Sequence, residues 1–144
     1  MRYLLDTNII SNVTKPVPSA PLLDWMAAQD DADLYLSTVT IAELQKGILD
    51  LPDGRRRQEL ENWFAGSTGP QAIFAGRIFS FDEQAALIWG RLMSEGRKAG
   101  KPRSPIDMMV AAIAVANQCT IVTDNDKDFQ GLPTFNPMRP DSTT

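Results

Sequence analysis

Four acidic side chains stand where a predicted strand passes into a predicted helix. They are Asp6, Glu43, Asp107 and Asp124. Two of them follow an apolar run, and two lie in the first turn of a helical segment. In a parallel sheet, the carboxyl ends of the strands and the starts of the following helices share one edge, which is where open α/β folds bind ligands. We therefore expect the four carboxylates to converge at that edge.

The types of these residues limit the chemistry that such a site can perform. Carboxylates within a few Å of one another repel and take up protons unless a positive charge compensates them, and a divalent cation with oxygen ligands is the simplest compensation. The chain has no histidine, which excludes Ser-His-Asp hydrolases, Cys-His proteases and HExxH zinc enzymes. The pattern predicts carboxylate acid–base chemistry with a metal-activated water as the nucleophile.

Each acid also has a structural interpretation that the sequence leaves open. The segments 104–107 and 40–43 both fit the capping-box pattern, so Asp107 and Glu43 are also candidates for binding backbone N–H groups at a helix start. Asp6 fits a helix N-cap, and Asp124 fits an Asx turn. Only the expected shared edge favours a function for all four.

Short apolar runs alternate along the chain with segments of helical periodicity. The predicted strands cover residues 3–5, 34–36 and 120–123, with a further apolar run at 78–81. The predicted helices cover residues 22–29, 37–51, 55–64, 82–97 and 105–118. A polar turn is expected over residues 124–128. This alternation predicts an α/β domain of three layers with a mainly parallel central sheet.

Length and composition favour one globular domain without a membrane segment. The chain has 144 residues, of which 43% are hydrophobic and 22% charged, so we expect a single domain over 1–140 and a disordered tail over 141–144. The longest charge-free apolar run, residues 108–116, is too short to cross a bilayer, and the N-terminus lacks a signal-peptide pattern. The single cysteine, Cys119, permits no internal disulfide, which favours the cytoplasm.

Charge alone does not identify the partner. The net charge of −4 argues mildly against nucleic acid, but the distribution of charge matters more than its sum. A basic stretch precedes the Asp107 helix and is placed to contact an RNA backbone. It consists of Arg97, Lys98, Lys101 and Arg103. The alternative is that these cations complement a helix dipole and face solvent.

Four segments resemble, in order, the motifs of PIN-domain ribonucleases. They are YLLDTN at 3–8, STVTIAEL at 37–44, SPID at 104–107 and IVTDNDKDF at 121–129. Within that family the chain is most similar to the VapC toxins of bacterial toxin–antitoxin pairs, including the FitB-like branch. The resemblance implies a three-layer α/β/α PIN-like fold and a Mg²⁺- or Mn²⁺-dependent endoribonuclease that leaves a 5′-phosphate and a 3′-hydroxyl. It also implies a homodimer, within a larger complex in some relatives, that a VapB-type antitoxin holds inactive.

The resemblance carries over to individual residues. Asp6 and Asp107 match the principal metal ligands, and Glu43 matches the third acid of the family. For the fourth position we choose Asp124, with Asn125 and Asp128 as additional candidates. They are alternatives because aligning the last motif on its threonine and phenylalanine places Asn125 at the family's fourth position and Asp128 at a further acid.

Two other function classes remain open from the sequence. A haloacid-dehalogenase-like phosphatase also uses an aspartate after its first strand, but it needs a second acid where this chain has Asn8. A non-catalytic PIN-like binding module is the other alternative, and it leaves unexplained why all four acids are present. Assays with small phosphomonoesters and divalent-metal binding distinguish the three classes.

Overall fold

The computed structural model describes residues 1–139, so the tail predicted over 141–144 lies outside the described residues. The strands are β1 (Tyr3–Leu5), β2 (Leu34–Ser37), β3 (Ile78–Phe79), β4 (Thr120–Val122) and β5 (Thr134–Phe135). The α-helices are α1 (Thr7–Val13), α2 (Ala20–Ala28), α3 (Thr38–Leu49), α4 (Arg55–Ala65), α5 (Pro70–Ile73), α6 (Glu83–Lys98) and α7 (Pro105–Ala116). Short 3₁₀ helices cover Asp31–Asp33 and Asp126–Phe129.

The strands form one sheet in the order β3-β2-β1-β4-β5, and every neighbouring pair is parallel. This confirms the predicted parallel sheet. The register between β1 and β4 aligns Leu5 with Val122, so the next residues, Asp6 and Thr123, leave the sheet side by side. Because all carboxyl ends point the same way, the segments that follow the strands share one edge.

Helices cover both faces of this sheet, as a three-layer α/β/α fold requires. Successive strand residues point to opposite faces. Leu4 and Ile121 pack with buried residues of α6 and α7, whereas Leu5 and Val122 pack with residues of α1, α2 and α3. Helix α7 is apolar around most of its circumference, with Met108 and Val110–Ala114 buried, which confirms its predicted central position.

Most predicted elements occur within one or two residues of their expected bounds, but three details were not foreseen. Strand β5 was missed because two residues at a sheet edge carry no readable periodicity. The expected polar turn after β4 contains the 3₁₀ helix Asp126–Phe129, and Phe129 at its end is buried. A short helix, α5, lies between α4 and β3, where no helix was predicted. Within residues 1–139, no helix is long and apolar enough to cross a membrane.

Candidate active site

Asp6 lies at the centre of the candidate site, directly after β1, and only 5% of it is exposed. Its Oδ1 accepts the backbone N–H of Thr7 at 2.8 Å, which makes Asp6 the N-cap of α1 as the structural interpretation predicted. Its Oδ2 accepts the Thr123 hydroxyl at 3.0 Å and the Asn8 amide at 3.4 Å. Capping therefore accounts for one carboxylate oxygen, and the other is bound by Thr123, the residue after β4, and by Asn8 of α1.

The pKa of Asp6 reflects a crowded acidic environment. Burial, followed by the charges of Asp107 and Glu43, raises this pKa from its ordinary value of 3.8 to about 6. The hydrogen bonds from Thr7 and Thr123 act in the opposite direction. Three carboxylates from three different elements are therefore close enough to interact electrostatically, as the shared sheet edge predicted.

Glu43 projects from α3 toward α1. Its Oε1 accepts the hydroxyl of Thr7 at 2.6 Å. The capping-box interpretation of residues 40–43 is wrong because α3 begins earlier: Ser37 is its N-cap and accepts the N–H of Thr40 at 3.1 Å. Glu43 consequently lies beyond the first turn and is available for contacts outside its own helix.

Asp107 lies in the first turn of α7, where Ser104 caps the helix and accepts the N–H of Asp107 at 3.3 Å. Burial raises the pKa of Asp107, and the charges of Asp128 and Glu43 add to this effect, while the Ser104 hydroxyl opposes it. Ser104 therefore performs the predicted capping. Asp107 itself belongs to the same acidic group as Glu43 and Asp128.

The three candidates for the fourth position differ in where their side chains lie. Asp128 interacts with Asp107, because the buried ring of Phe129 anchors the 3₁₀ helix against the core near α7. Asp124 is exposed, and its backbone N–H donates to Asn8 Oδ1 at 3.3 Å. Within residues 1–139 the Asp124 carboxylate accepts no hydrogen bond, so the expected Asx turn is not formed. The backbone N–H of Asn125 donates to Thr123 Oγ1 at 3.0 Å.

A groove of about 280 Å³ runs between the α6–α7 connection and the Asp126–Phe129 segment. Asp107 and Asp128 line it together with the cationic residues Lys101, Arg103 and Lys127. The Arg103 guanidinium also donates to the carbonyl of Leu92 at 2.9 Å, which fixes its orientation. The basic stretch thus contributes two of its four members, Lys101 and Arg103, to this groove.

The other two members of that stretch lie elsewhere. Arg97 and Lys98 are exposed in the last turn of α6 and do not line the groove. At a helix C-terminus, they complement the helix dipole, as the structural alternative proposed. The four residues predicted as one RNA-binding stretch are therefore separated: two line the groove, and two lie at the end of α6.

Three polar residues at the site were not chosen from the sequence. Thr7 contacts two acids, Thr123 contacts Asp6, and Lys127 lines the groove beside Asp128. Thr7 and Thr123 were visible as neighbours of candidate acids within the motifs. Their hydrogen bonds could not be anticipated from the sequence. The bond from Thr7 to Glu43 spans 36 positions, and the bond from Thr123 to Asp6 spans 117.

The donor chemistry of the site fits a hard divalent cation. Its candidate ligands are carboxylate oxygens, which are the ligands that Mg²⁺ and Mn²⁺ prefer. Within residues 1–139 no three acidic or cysteine side chains form a preorganised metal-binding group. Burial, and to a smaller extent the neighbouring carboxylates, raise the pKa values of Asp6 and Asp107, and a bound cation would offset this cost of ionising them.

Comparison with known proteins identifies what this chain is similar to. A family model described as the PIN domain matches residues 3–133. The chain is 40% identical to the plasmid stability protein StbB of Pseudomonas syringae, over 93% of this chain and 96% of that protein. It is 37% identical to the VapC ribonuclease Y4jK of Sinorhizobium fredii, over 95% of this chain and 98% of that protein.

The same similarity is present in three dimensions. The crystal structure of FitAcB from Neisseria gonorrhoeae matches with a TM-score of 0.88 at 33% sequence identity, covering 96% of this chain and 99% of that chain. Every residue of the candidate site lies within the range that the family model matches.

Proposed function

The chain belongs to the PIN-domain family, and we propose that it is a divalent-metal-dependent endoribonuclease that acts as the toxin of a type II toxin–antitoxin pair. The family membership accounts for the nuclease class and for the order of the four motifs. The phosphatase alternative is disfavoured for a separate reason. That mechanism needs an acid at position 8, where this chain has Asn8, whose amide donates to Asp6.

One observation carries the catalytic part of this proposal. Four carboxylates from separate elements lie near one edge of the sheet, where their charges contribute to raising the pKa values of Asp6 and Asp107, in a chain that contains no histidine. They are Asp6, Glu43, Asp107 and Asp128. Such a group repels itself, and a protein gains nothing in stability by assembling it without a cation. We assign the fourth position to Asp128 because of its interaction with Asp107.

The proposed reaction is hydrolysis of an RNA phosphodiester. Asp6 and Asp107 would hold Mg²⁺ or Mn²⁺, which would supply positive charge at the phosphate and lower the pKa of water. Glu43 accepts the proton of the attacking water at the oxygen that Thr7 does not occupy. Water forms the new bond to phosphorus as the bond to the 3′-oxygen breaks, and this oxygen leaves as a hydroxyl after taking up a proton from solvent.

The RNA is proposed to enter along the groove that Asp107 and Asp128 line. Lys101 and Lys127 lie on this groove and form no ion pair within residues 1–139. Their charges are thus available to neutralise backbone phosphates on either side of the bond that is cut.

The proposed partner is a VapB-type antitoxin with an amphipathic segment and a basic side chain. A groove of about 370 Å³ between α1, α3 and α4 begins at Glu43 and is lined by Leu44, Ile48, Leu60 and Trp63. An apolar helix face fits this lining, and a basic residue at its end would meet the acidic site. Co-expression with the neighbouring upstream reading frame is expected to relieve growth arrest. Light scattering of the purified complex tests the proposed homodimer.

The decisive experiment uses the purified chain without antitoxin. Total RNA is incubated with the chain in EDTA, Mg²⁺ or Mn²⁺, and the cut ends are mapped. Metal-dependent internal cuts with 5′-phosphate ends are expected, and the matched variant Glu43→Gln is expected to lack them. Folded wild-type protein that binds metal but never cuts RNA would support the non-catalytic binding module instead.

A further inference from the structure

A series of three hydroxyl groups connects the start of α3 to Glu43. Thr7 Oγ1 lies 2.6 Å from Glu43 Oε1 and 3.2 Å from Thr40 Oγ1. Thr40 Oγ1 lies 3.4 Å from Ser37 Oγ. Ser37 and Thr40 are fully buried, so these two hydroxyl groups exchange hydrogen bonds with protein atoms and not with solvent.

The numbers of donors and acceptors determine which hydroxyl group donates to which in this series. A hydroxyl group carries one hydrogen, and a carboxylate accepts hydrogen bonds without donating any. Thr7 therefore gives its hydrogen to Glu43, and the Thr40 hydroxyl must donate to Thr7. Ser37 donates to Thr40 and accepts the backbone N–H of Thr40 at 3.1 Å. Every hydroxyl hydrogen of the series thus points toward Glu43.

Thr7 also fixes the relation of Glu43 to Asp6. Its backbone N–H donates to Asp6 Oδ1 at 2.8 Å while its hydroxyl donates to Glu43 Oε1. One residue therefore holds two mutually repelling carboxylates, one after β1 and the other on α3. Without the hydroxyl, the long Glu43 side chain would be free to rotate away from Asp6 into the groove between α1, α3 and α4.

We infer that Thr7 is a positioning residue, which holds Glu43 Oε1 by a hydroxyl relay from Ser37 and Thr40 and leaves Oε2 to serve the reaction. The inference rests on the proposed nuclease function, because the relay has a catalytic meaning only if Glu43 acts on a metal-bound RNA substrate. Residues that orient metal-site carboxylates commonly change metal affinity or activity by about 10- to 100-fold when they are replaced.

The test compares Thr7→Val, which removes the hydroxyl at nearly constant volume, with Thr7→Ser, which keeps it. Mn²⁺ affinity is measured by calorimetry on the chain without RNA, and kcat and KM are measured on a defined RNA. We expect T7V to weaken Mn²⁺ binding and lower kcat by about 10-fold or more, with KM little changed. T7S is expected to stay close to wild type, and T40V to show a smaller loss in the same direction.

Two controls keep the outcomes distinct. The first control, Thr120→Val, makes the same change at the opposite end of β4 from the site and is expected to match wild type. The second control, Thr7→Ala, replaces T7V if T7V does not fold. Equal losses in T7V and T7S, or a T7V variant with wild-type kcat and Mn²⁺ affinity, would overturn the relay while leaving the nuclease intact. A wild-type chain that neither binds Mn²⁺ nor cuts RNA would overturn the proposed function, and the relay with it.

Discussion

The Thr123 hydroxyl donates to Asp6 Oδ2 over 3.0 Å, which joins the ends of two neighbouring parallel strands directly beneath the acidic site. Thr123 is fully buried, and its oxygen also accepts the Asn8 amide at 3.2 Å and the Asn125 backbone N–H at 3.0 Å. One hydroxyl group thus orients Asp6 and also fixes the start of the segment that carries Asp128.

Replacing Thr123 tests this junction. In Thr123→Val, Asp6 loses a donor and two polar groups lose their acceptor. We expect the free energy of unfolding to fall by about 1 to 3 kcal/mol, measured by urea denaturation without metal. Thr123→Ser keeps the hydroxyl and is expected to lose less. A Thr123→Val variant that is as stable as wild type, or more stable than Thr123→Ser, would show that these hydrogen bonds contribute nothing to stability.

The raised pKa of Asp6 predicts how the stability of the metal-free chain depends on pH. Its pKa is about 6 in the folded chain against an ordinary value of 3.8, so the folded state binds a proton that the unfolded state has released. The free energy of unfolding should therefore fall as pH rises from about 4 to about 6, by roughly 3 kcal/mol from this residue. Urea denaturation in EDTA across this range measures the effect. Asp6→Asn should flatten the curve, and an unchanged slope in this variant would contradict the assignment.

Asp107→Asn separates capping from catalysis, because it keeps the shape of the side chain and removes its charge. If Asp107 binds metal, RNA cleavage and Mn²⁺ affinity should fall steeply. Stability without metal should stay level or rise, because one of several repelling carboxylates has been neutralised. Calorimetry, a cleavage assay and thermal unfolding measure the three quantities. Full metal-dependent activity with at most about 1 kcal/mol of lost stability would instead indicate a capping residue.

The fourth acid is tested by paired variants on one segment. Both residues are exposed, but Asp128 lines the groove together with Asp107 and its charge contributes to raising the pKa of Asp107, whereas Asp124 does neither. We expect Asp128→Asn to lower kcat clearly more than Asp124→Asn under the same metal conditions. The reverse order would restore the choice made from the sequence.

The proposed RNA path predicts a difference between two pairs of cations. Lys101 and Lys127 line the acidic groove, while Arg97 and Lys98 lie in the last turn of α6. Replacing both groove lysines with alanine should raise KM for RNA and reduce the salt dependence of binding by about one per lost phosphate contact. The double alanine variant at Arg97 and Lys98 should change both less. A larger effect of the helix-terminal pair would place the RNA along α6.

The sequence was sufficient to predict the fold class and the neighbourhood of three acids. Helix periodicity and short apolar runs are local properties, and parallel strands bring their carboxyl ends to one edge whatever the details of packing. Asp6 and Asp107 were placed at that edge by this rule, whereas Glu43 was expected in the first turn of α3 and lies beyond it. The PIN-domain resemblance, which rests on four ordered motifs, was likewise complete in the sequence.

Only the tertiary structure decided which side chains meet within those neighbourhoods. Asp124 and Asp128 are the same residue type four positions apart, but the buried ring of Phe129 anchors the 3₁₀ helix beside α7, and Asp128 lines the groove with Asp107. Ser37 rather than Thr40 caps α3, which directs Glu43 to Thr7. These outcomes depend on packing between residues far apart in the chain, and a hydrogen bond that reaches across 36 or 117 positions leaves no periodic trace in either partner's local sequence.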